Sequence, residues 1–167
     1  WTPFGGSEIY TPGKPMGIDS DGQNLIAMAV DQMGVELFSI DSLGADPILI
    51  GRVDTQGNAE KVTLTTSGVF VACDNAGAAF ISIENFETSR APKPFASDFT
   101  VDHIAISDNI AALSIGSRGI ALYDISDPEN PIEKGVFPIG YTYMSAFWKG
   151  KLLVCSREGL QLVAITK

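Results

Sequence analysis

Short stretches of alternating apolar and polar residues recur along the whole chain, and each ends at a tight turn. Residues 119–126, GIALYDIS, are an example in which apolar side chains form a nearly continuous run. Period-two alternation predicts β-strands, and a continuous apolar run predicts a strand that is covered on both faces. No segment shows the 3.6-residue spacing of an amphipathic helix. We therefore predict an all-β chain with essentially no helix.

The predicted strands belong to a repeat that is marked by a glycine after a short turn. Gly34, Gly77, Gly119 and Gly159 occupy this position and are 43, 42 and 40 residues apart. A second alternating stretch lies upstream of each glycine, and a further strand follows the first three. A period of about 40 residues with four strands is typical of a propeller blade, which buries its two faces only by stacking on other blades.

The repeat predicts a β-propeller of four-stranded antiparallel blades, at approximately 14–57, 58–99, 100–140 and 141–167. The last unit has sequence for only three strands, so we predict that the N-terminal segment 4–12 supplies its fourth strand and completes the blade. Three arrangements satisfy this repeat: a closed four-bladed ring, a larger ring in which two copies exchange end strands, and a fragment of a longer propeller. The chain begins without an initiator methionine, as a processed or trimmed piece of a longer product does.

The third unit carries the most specific motif. Its apolar strand ends in DISDP at 124–128, and Asn130-Pro131 and a strand closing on Gly140 follow. In these features the unit resembles the LVIVD repeat of bacterial and archaeal propeller proteins. The first unit matches more loosely, and the second departs because residues 84–93 form a longer loop. The resemblance implies a propeller, commonly in secreted or cell-surface proteins, and it brings no catalytic residues with it.

Charge and cysteine content narrow the function. Eleven basic and 20 acidic side chains give a net charge of −9, which disfavours nucleic acid as a partner. No apolar run reaches the length of a membrane helix, so we expect no membrane insertion. Cys73 and Cys155 align with Val30 and Ile115 in the repeat, which predicts that both thiols are buried.

Candidate chemistry is sparse. His103 is the only histidine, so the familiar metal sets that need a second histidine are absent, and we interpret it as a loop-edge residue. Residues 19–22, DSDG, begin like a calcium loop, but an apolar strand follows directly, so we interpret them as a hairpin turn. We therefore predict no catalytic residue, no metal and no cofactor, and we expect that the chain is not an enzyme.

The remaining candidate is a surface. In a propeller, the loops that enter the innermost strands and the turns between second and third strands share one face around the axis. Tyrosine and arginine are residues that often anchor interfaces, and loops on a rigid scaffold often carry function. The candidate residues on this face are Tyr141, Tyr143, Arg118, Asp102, His103, Arg157, Asp31 and Asp74.

The leading hypothesis is a non-catalytic binding or scaffolding module that recognises a protein or a glycan in a secreted or cell-surface assembly. The extracellular or cell-surface location rests on the family resemblance alone. One alternative is a fragment of a larger propeller enzyme whose active site lies in absent blades. The other is a self-assembling structural subunit, a homo-oligomer formed by exchange of end strands.

Overall fold

The computed structural model describes residues 8–42, 45–86 and 91–165. These residues form fifteen β-strands and one short 3₁₀ turn at Ile83–Asn85. The strands build four antiparallel sheets that follow one another in chain order, and hydrophobic clusters join consecutive sheets. This arrangement confirms the predicted all-β propeller architecture.

Within each sheet, sequential strands are neighbours. The first blade comprises Gly17–Ser20 (β1), Leu25–Ala29 (β2), Val35–Ser39 (β3) and Ile48–Val53 (β4). The second blade comprises Lys61–Leu64 (β5), Gly68–Ala72 (β6), Ala78–Ser82 (β7) and Pro94–Phe95 (β8). The third blade comprises His103–Ser107 (β9), Ile110–Ser114 (β10), Ile120–Asp124 (β11) and Ile132–Phe137 (β12). The fourth sheet comprises Thr142–Trp148 (β13), Lys151–Ser156 (β14) and Gly159–Ala164 (β15).

The fourth sheet has three strands in the part of the chain that the structure describes. The segment predicted to complete it spans 4–12, and its residues 4–7 lie outside the described residues. Residues 8–12 are described and are not in a strand. Completion of the last blade by the N-terminal segment therefore stays a prediction.

Strand β6 shows why the apolar runs are continuous. Val69 and Val71 point into the cluster shared with the first blade, and Phe70 and Ala72 point into the cluster shared with the third. All five residues of β6 are buried. An internal blade thus has two buried faces, and the alternating pattern becomes an unbroken run.

Consecutive blades are also joined through their backbones. In each case the acceptor lies two residues after the second strand of one blade. The donor lies two residues before the innermost strand of the next blade or is its first residue. The three donor–acceptor pairs are Ala59–Asp31, Val101–Asp74 and Thr142–Gly116, at 2.9, 2.9 and 3.0 Å. These links place the turns between second and third strands beside the entry of the following blade.

The turn of the fourth blade is one residue shorter than the others. In the third blade, the amide of Ile115 donates to the carbonyl of Gly119, and three residues lie between them. In the fourth, Ser156 pairs with Gly159, and two residues lie between them. The one-residue change moves side chains before the turn to the opposite face. Cys155 therefore lies on the side of the sheet that no further blade covers among the described residues. It is exposed, and the prediction that it is buried is wrong, whereas Cys73 is buried as predicted.

Residues 21–24 form the hairpin turn between β1 and β2, and Asp19 and Ser20 are the last residues of β1. The Oδ1 atom of Asp21 accepts hydrogen bonds from the backbone amides of Gln23, Asn24 and Leu25 at 2.8–3.0 Å. Asp19 instead reaches the second blade, where its Oδ2 atom accepts from the amide of Leu64 at 2.8 Å. The Asp21 carboxylate therefore stabilises the turn, and the Asp19 carboxylate stabilises the contact with the second blade.

Replacing Asp21 with alanine is expected to lower the melting temperature at pH 7. The amide of Leu25, followed by that of Gln23, holds the pKa of Asp21 below its ordinary value of 3.8. A depressed folded-state pKa stabilises the fold above the unfolded-state pKa, and this stabilisation is lost as pH falls through the folded value. Thermal unfolding of both proteins from pH 7 to pH 2 tests this: the difference should shrink below about pH 4. A difference that does not change with pH would show that the carboxylate charge is irrelevant.

Candidate functional site

The entry to the fourth blade carries a compact group of aromatic and guanidinium side chains. The rings of Tyr141 and Tyr143 lie 5.0 Å apart between centroids, and the Arg157 guanidinium stacks 4.8 Å above the Tyr141 ring. The backbone fixes this arrangement, because the amide of Arg157 donates to the carbonyl of Tyr141 at 2.8 Å. The Tyr143 hydroxyl beside Arg157 raises the pKa of that guanidinium further, so it stays charged.

A second stacked guanidinium lies on the adjoining loop of the third blade. Arg118 is 4.3 Å above the ring of Phe99, and its Nη1 atom donates to the carbonyl of Asp98 at 3.1 Å. An open pocket of about 280 Å³ separates this pair from Tyr141. Its lining consists of Asp98, Phe99, Thr100, Asp102, Ile115, Gly116, Ser117, Arg118 and Tyr141. We call Phe99, Arg118, Tyr141, Tyr143 and Arg157 the tyrosine–arginine surface.

Thr142 anchors this surface to the blades beneath it. Its side chain is fully buried, and its Oγ1 atom donates to the carbonyl of Gly119 at 2.5 Å. The hydrogen bond between its amide and Gly116 ties the two neighbouring loops together. Tyr141 and Tyr143 flank this residue, so both rings start from a backbone with little freedom.

Asp102 supplies an acidic wall to the pocket. Partial burial raises the pKa of its carboxyl, and the neighbouring carboxylates of Asp74 and Glu60 raise it further. Arg118 and Asp102 thus place a guanidinium and a carboxyl group in the lining of the same pocket.

His103 lies at the contact between the third and fourth blades. Its Nδ1 atom is 3.4 Å from the backbone amide of Ser145, which donates to it. Burial, followed by the positive charge of Lys61, lowers the pKa of His103 and favours the neutral imidazole that this acceptor role needs. The side chain does not line the pocket.

Asp31 and Asp74 occupy the same position in the turns of the first and second blades. Both have left-handed backbone conformations, with φ of 47° and 51°, and both carbonyls accept the links to the next blade. Of the candidate residues, Tyr141, Arg118 and Asp102 therefore meet at one pocket, with Tyr143 and Arg157 beside it. His103, Asp31 and Asp74 do not line this pocket and serve blade contacts, although the Asp74 carboxylate lies close enough to act on Asp102.

Phe99 and Asp98 were not among the candidate residues. The repeat gives no signal for them, because they lie in a loop that enters the innermost strand and varies from one blade to the next. Their contribution is visible only in the stacking of Arg118. Within the residues that the structure describes, no helix has the length and hydropathy needed to cross a membrane.

Comparisons with known proteins place this site on a propeller scaffold. No family model and no curated protein matches the chain. Among solved structures, the computationally designed Ika4 protein is similar with a TM-score of 0.72 and 11% identity, over 96% of both chains. A chain of the COPII outer coat vertex on membranes gives 0.70 and 13%, over 86% of this chain and 44% of that one. U3-55K gives 0.66 and 11%, over 86% and 52%.

The chain thus spans nearly all of the designed protein but about half of the two natural ones. The resemblance of the third unit to the LVIVD repeat is not addressed by these similarities and stays a prediction. At identities of 11–13%, structural likeness establishes the fold alone, and that fold is a β-propeller.

Proposed function

We propose that this chain is a non-catalytic scaffold module that binds a protein partner on the tyrosine–arginine surface. The observation that carries the proposal is the pair of guanidinium groups stacked on aromatic rings at the edge of one pocket. Tyrosine and arginine are enriched among residues that dominate binding energy. A stacked guanidinium is also preorganised, since its plane is fixed and its N–H groups still point outward.

The charge of the surface suggests what the partner presents. Asp98 and Asp102 line the pocket, and two guanidinium groups lie at the same site on a chain whose net charge is −9. Their planar N–H groups suit a carboxylate, with which arginine forms two parallel hydrogen bonds. The tyrosine rings offer apolar area beside it. We infer that the partner inserts an acidic residue next to an apolar or aromatic one.

Two considerations extend the proposal to its setting. Two similar chains come from the outer vertex of the COPII coat and from the COPII coat assembled on membranes. The LVIVD-like third unit favours a secreted or cell-surface assembly for this chain. We propose a protein rather than a glycan as the partner, because the paired cations complement carboxylates of a peptide segment.

The proposal is tested by comparing two matched variants. Arg157→Ala removes the cation above Tyr141, and Lys149→Ala removes a cation that stacks at the same 4.8 Å distance on Trp148, at the opposite end of the blade. Proteins from the source cells are captured on the wild-type chain, and the captured protein is then purified for calorimetry. We expect Arg157→Ala combined with Tyr141→Ala to weaken its binding at least about 30-fold.

The control variant Lys149→Ala should bind with unchanged affinity. Equal affinities for the wild type and the combined variant would place the binding surface elsewhere on the propeller. A captured glycan-bearing molecule that still binds after its protein is digested would contradict a protein partner. Circular dichroism of each variant checks that the fold is intact.

A further inference from the structure

The outer side of the fourth blade is an exposed apolar sheet face. Leu160 and Leu162 on β15 are 77% and 54% exposed, and Met144 and Trp148 on β13 are about half exposed. The strand register places these four side chains and Cys155 on one side of the sheet, opposite the side that packs on the third blade. We call this side the trailing face.

The trailing face has the composition of a blade interface. Leu160 follows the repeat glycine directly and corresponds to Val35, Ala78 and Ile120, which are 0–2% exposed. Leu162 corresponds to Leu37, Phe80 and Leu122, which are 0–9% exposed. In each of the first three blades these positions lie against the next blade, where they form the core. In the fourth blade the same kind of side chains meet solvent.

The first blade presents the opposite half of such an interface. Ile18 is paired with Met28 on β2 and is 70% exposed. Its counterparts Val62 and Ile104 are paired in the same way with Val71 and Leu113, and they are 8% and 2% exposed. We call the side of the first blade with Ile18, Ile26 and Met28 the leading face. In the later blades this side packs on the preceding blade.

We propose that the trailing face of one copy of this chain packs on the leading face of a second copy. Each chain carries both halves of the contact that joins its own consecutive blades three times. A second copy therefore offers a surface that is already complementary to each exposed face. In the structure the two faces of one chain do not bury each other, because Ile18 and Leu160 both remain mostly exposed. Two head-to-tail contacts would close a ring of eight blades.

Sedimentation velocity of the 17.7 kDa chain from about 1 to 200 μM tests this association. We expect a concentration-dependent species of twice the chain mass. Leu162→Asp on the trailing face and Ile18→Asp on the leading face should each weaken it at least about 100-fold, because a charge then faces an apolar interface. Ile132→Asp is the matched control, since Ile132 is 60% exposed on β12 and belongs to neither face.

Mixing the two variants identifies the geometry. Leu162→Asp keeps an intact leading face and Ile18→Asp keeps an intact trailing face, so an equimolar mixture should form one heterodimer although each variant alone is monomeric. Cys155 is a native reporter, because it lies exposed on the trailing face. Its modification by a thiol reagent should slow at dimer-forming concentrations in the wild type and stay fast in Leu162→Asp.

Three results would overturn the proposal. If the wild type is a monomer with a reactive Cys155 at every concentration, a second copy does not cover the trailing face. A monomer whose Cys155 is protected at every concentration would mean that a chain closes on itself. A dimer that survives both charged variants would use another surface.

Discussion

Replacing Gly119 with alanine is expected to lower the free energy of unfolding by about 3–5 kcal/mol. Gly119 has φ of 91°, a left-handed conformation that costs an L-residue about 1–2 kcal/mol. An added Cβ would also overlap the carbonyl oxygen of Phe137, where the outer strand β12 passes directly beneath the turn. Backbone atoms on a paired strand cannot yield as a flexible side chain does. Urea denaturation measures the loss, which corresponds to more than about 6 °C in melting temperature.

Gly159 is the internal control for this prediction. It has the same place in the repeat and φ of 115°, but a Cβ there would meet no atom within 4 Å. Gly159→Ala should therefore cost only the backbone strain, about 1–2 kcal/mol. Equal losses in the free energy of unfolding would show that backbone strain alone explains the cost of replacing Gly119. The close approach of the outer strand would then be unimportant.

These two glycines also show what the sequence predicts well. The repeat spacing and the alternating pattern were enough for strands, turns and the propeller fold, because both follow from local geometry that recurs in every blade. The turn around Gly159 was predicted less well. An alignment on the glycine alone does not show that this turn is one residue shorter, and it therefore matches Cys155 with Ile115. The strand pairing instead makes Ser156 the counterpart of Ile115.

The candidate site was predictable only in part, for a geometric reason. Equivalent loop positions lie on one face of a propeller, but each blade places them at a different position around the axis. Asp31 belongs to the first blade and does not lie beside Tyr141, which precedes the fourth. Neighbours such as Arg118 and Tyr141 meet because they come from adjacent blades. Stacking of Arg118 on Phe99 depends on side-chain conformations that no repeat pattern encodes.

Replacing Arg52 with valine is expected to destabilise the fold by about 2–4 kcal/mol. Glu36 is 1% exposed, and its Oε1 atom accepts hydrogen bonds from Nε and Nη2 of Arg52. Its Oε2 atom has no hydrogen-bond partner among the described residues. Removal of Arg52 leaves a buried carboxylate without its compensating charge, which is costly. The Arg52 side chain is 39% exposed, so the loss should lie below that for a fully buried pair.

The double variant Glu36→Ala, Arg52→Val should recover the stability that Arg52→Val loses. Glu36 on β3 is paired with Arg52 on β4. The equivalent pair in the third blade is neutral and consists of Ala121 and Val136. The double variant therefore copies this neutral pair into the first blade. Replacing a buried ion pair with packed apolar residues is often neutral or stabilising, whereas breaking it is not. Urea denaturation of the wild type, both single variants and the double variant gives the coupling energy. Additive losses would contradict the pairing. Full recovery would mean that the charged pair does not account for the stability of the first blade. Glu36 lies beside Met28 on the leading face. The property to measure next in the double variant would then be the selectivity of the blade contact.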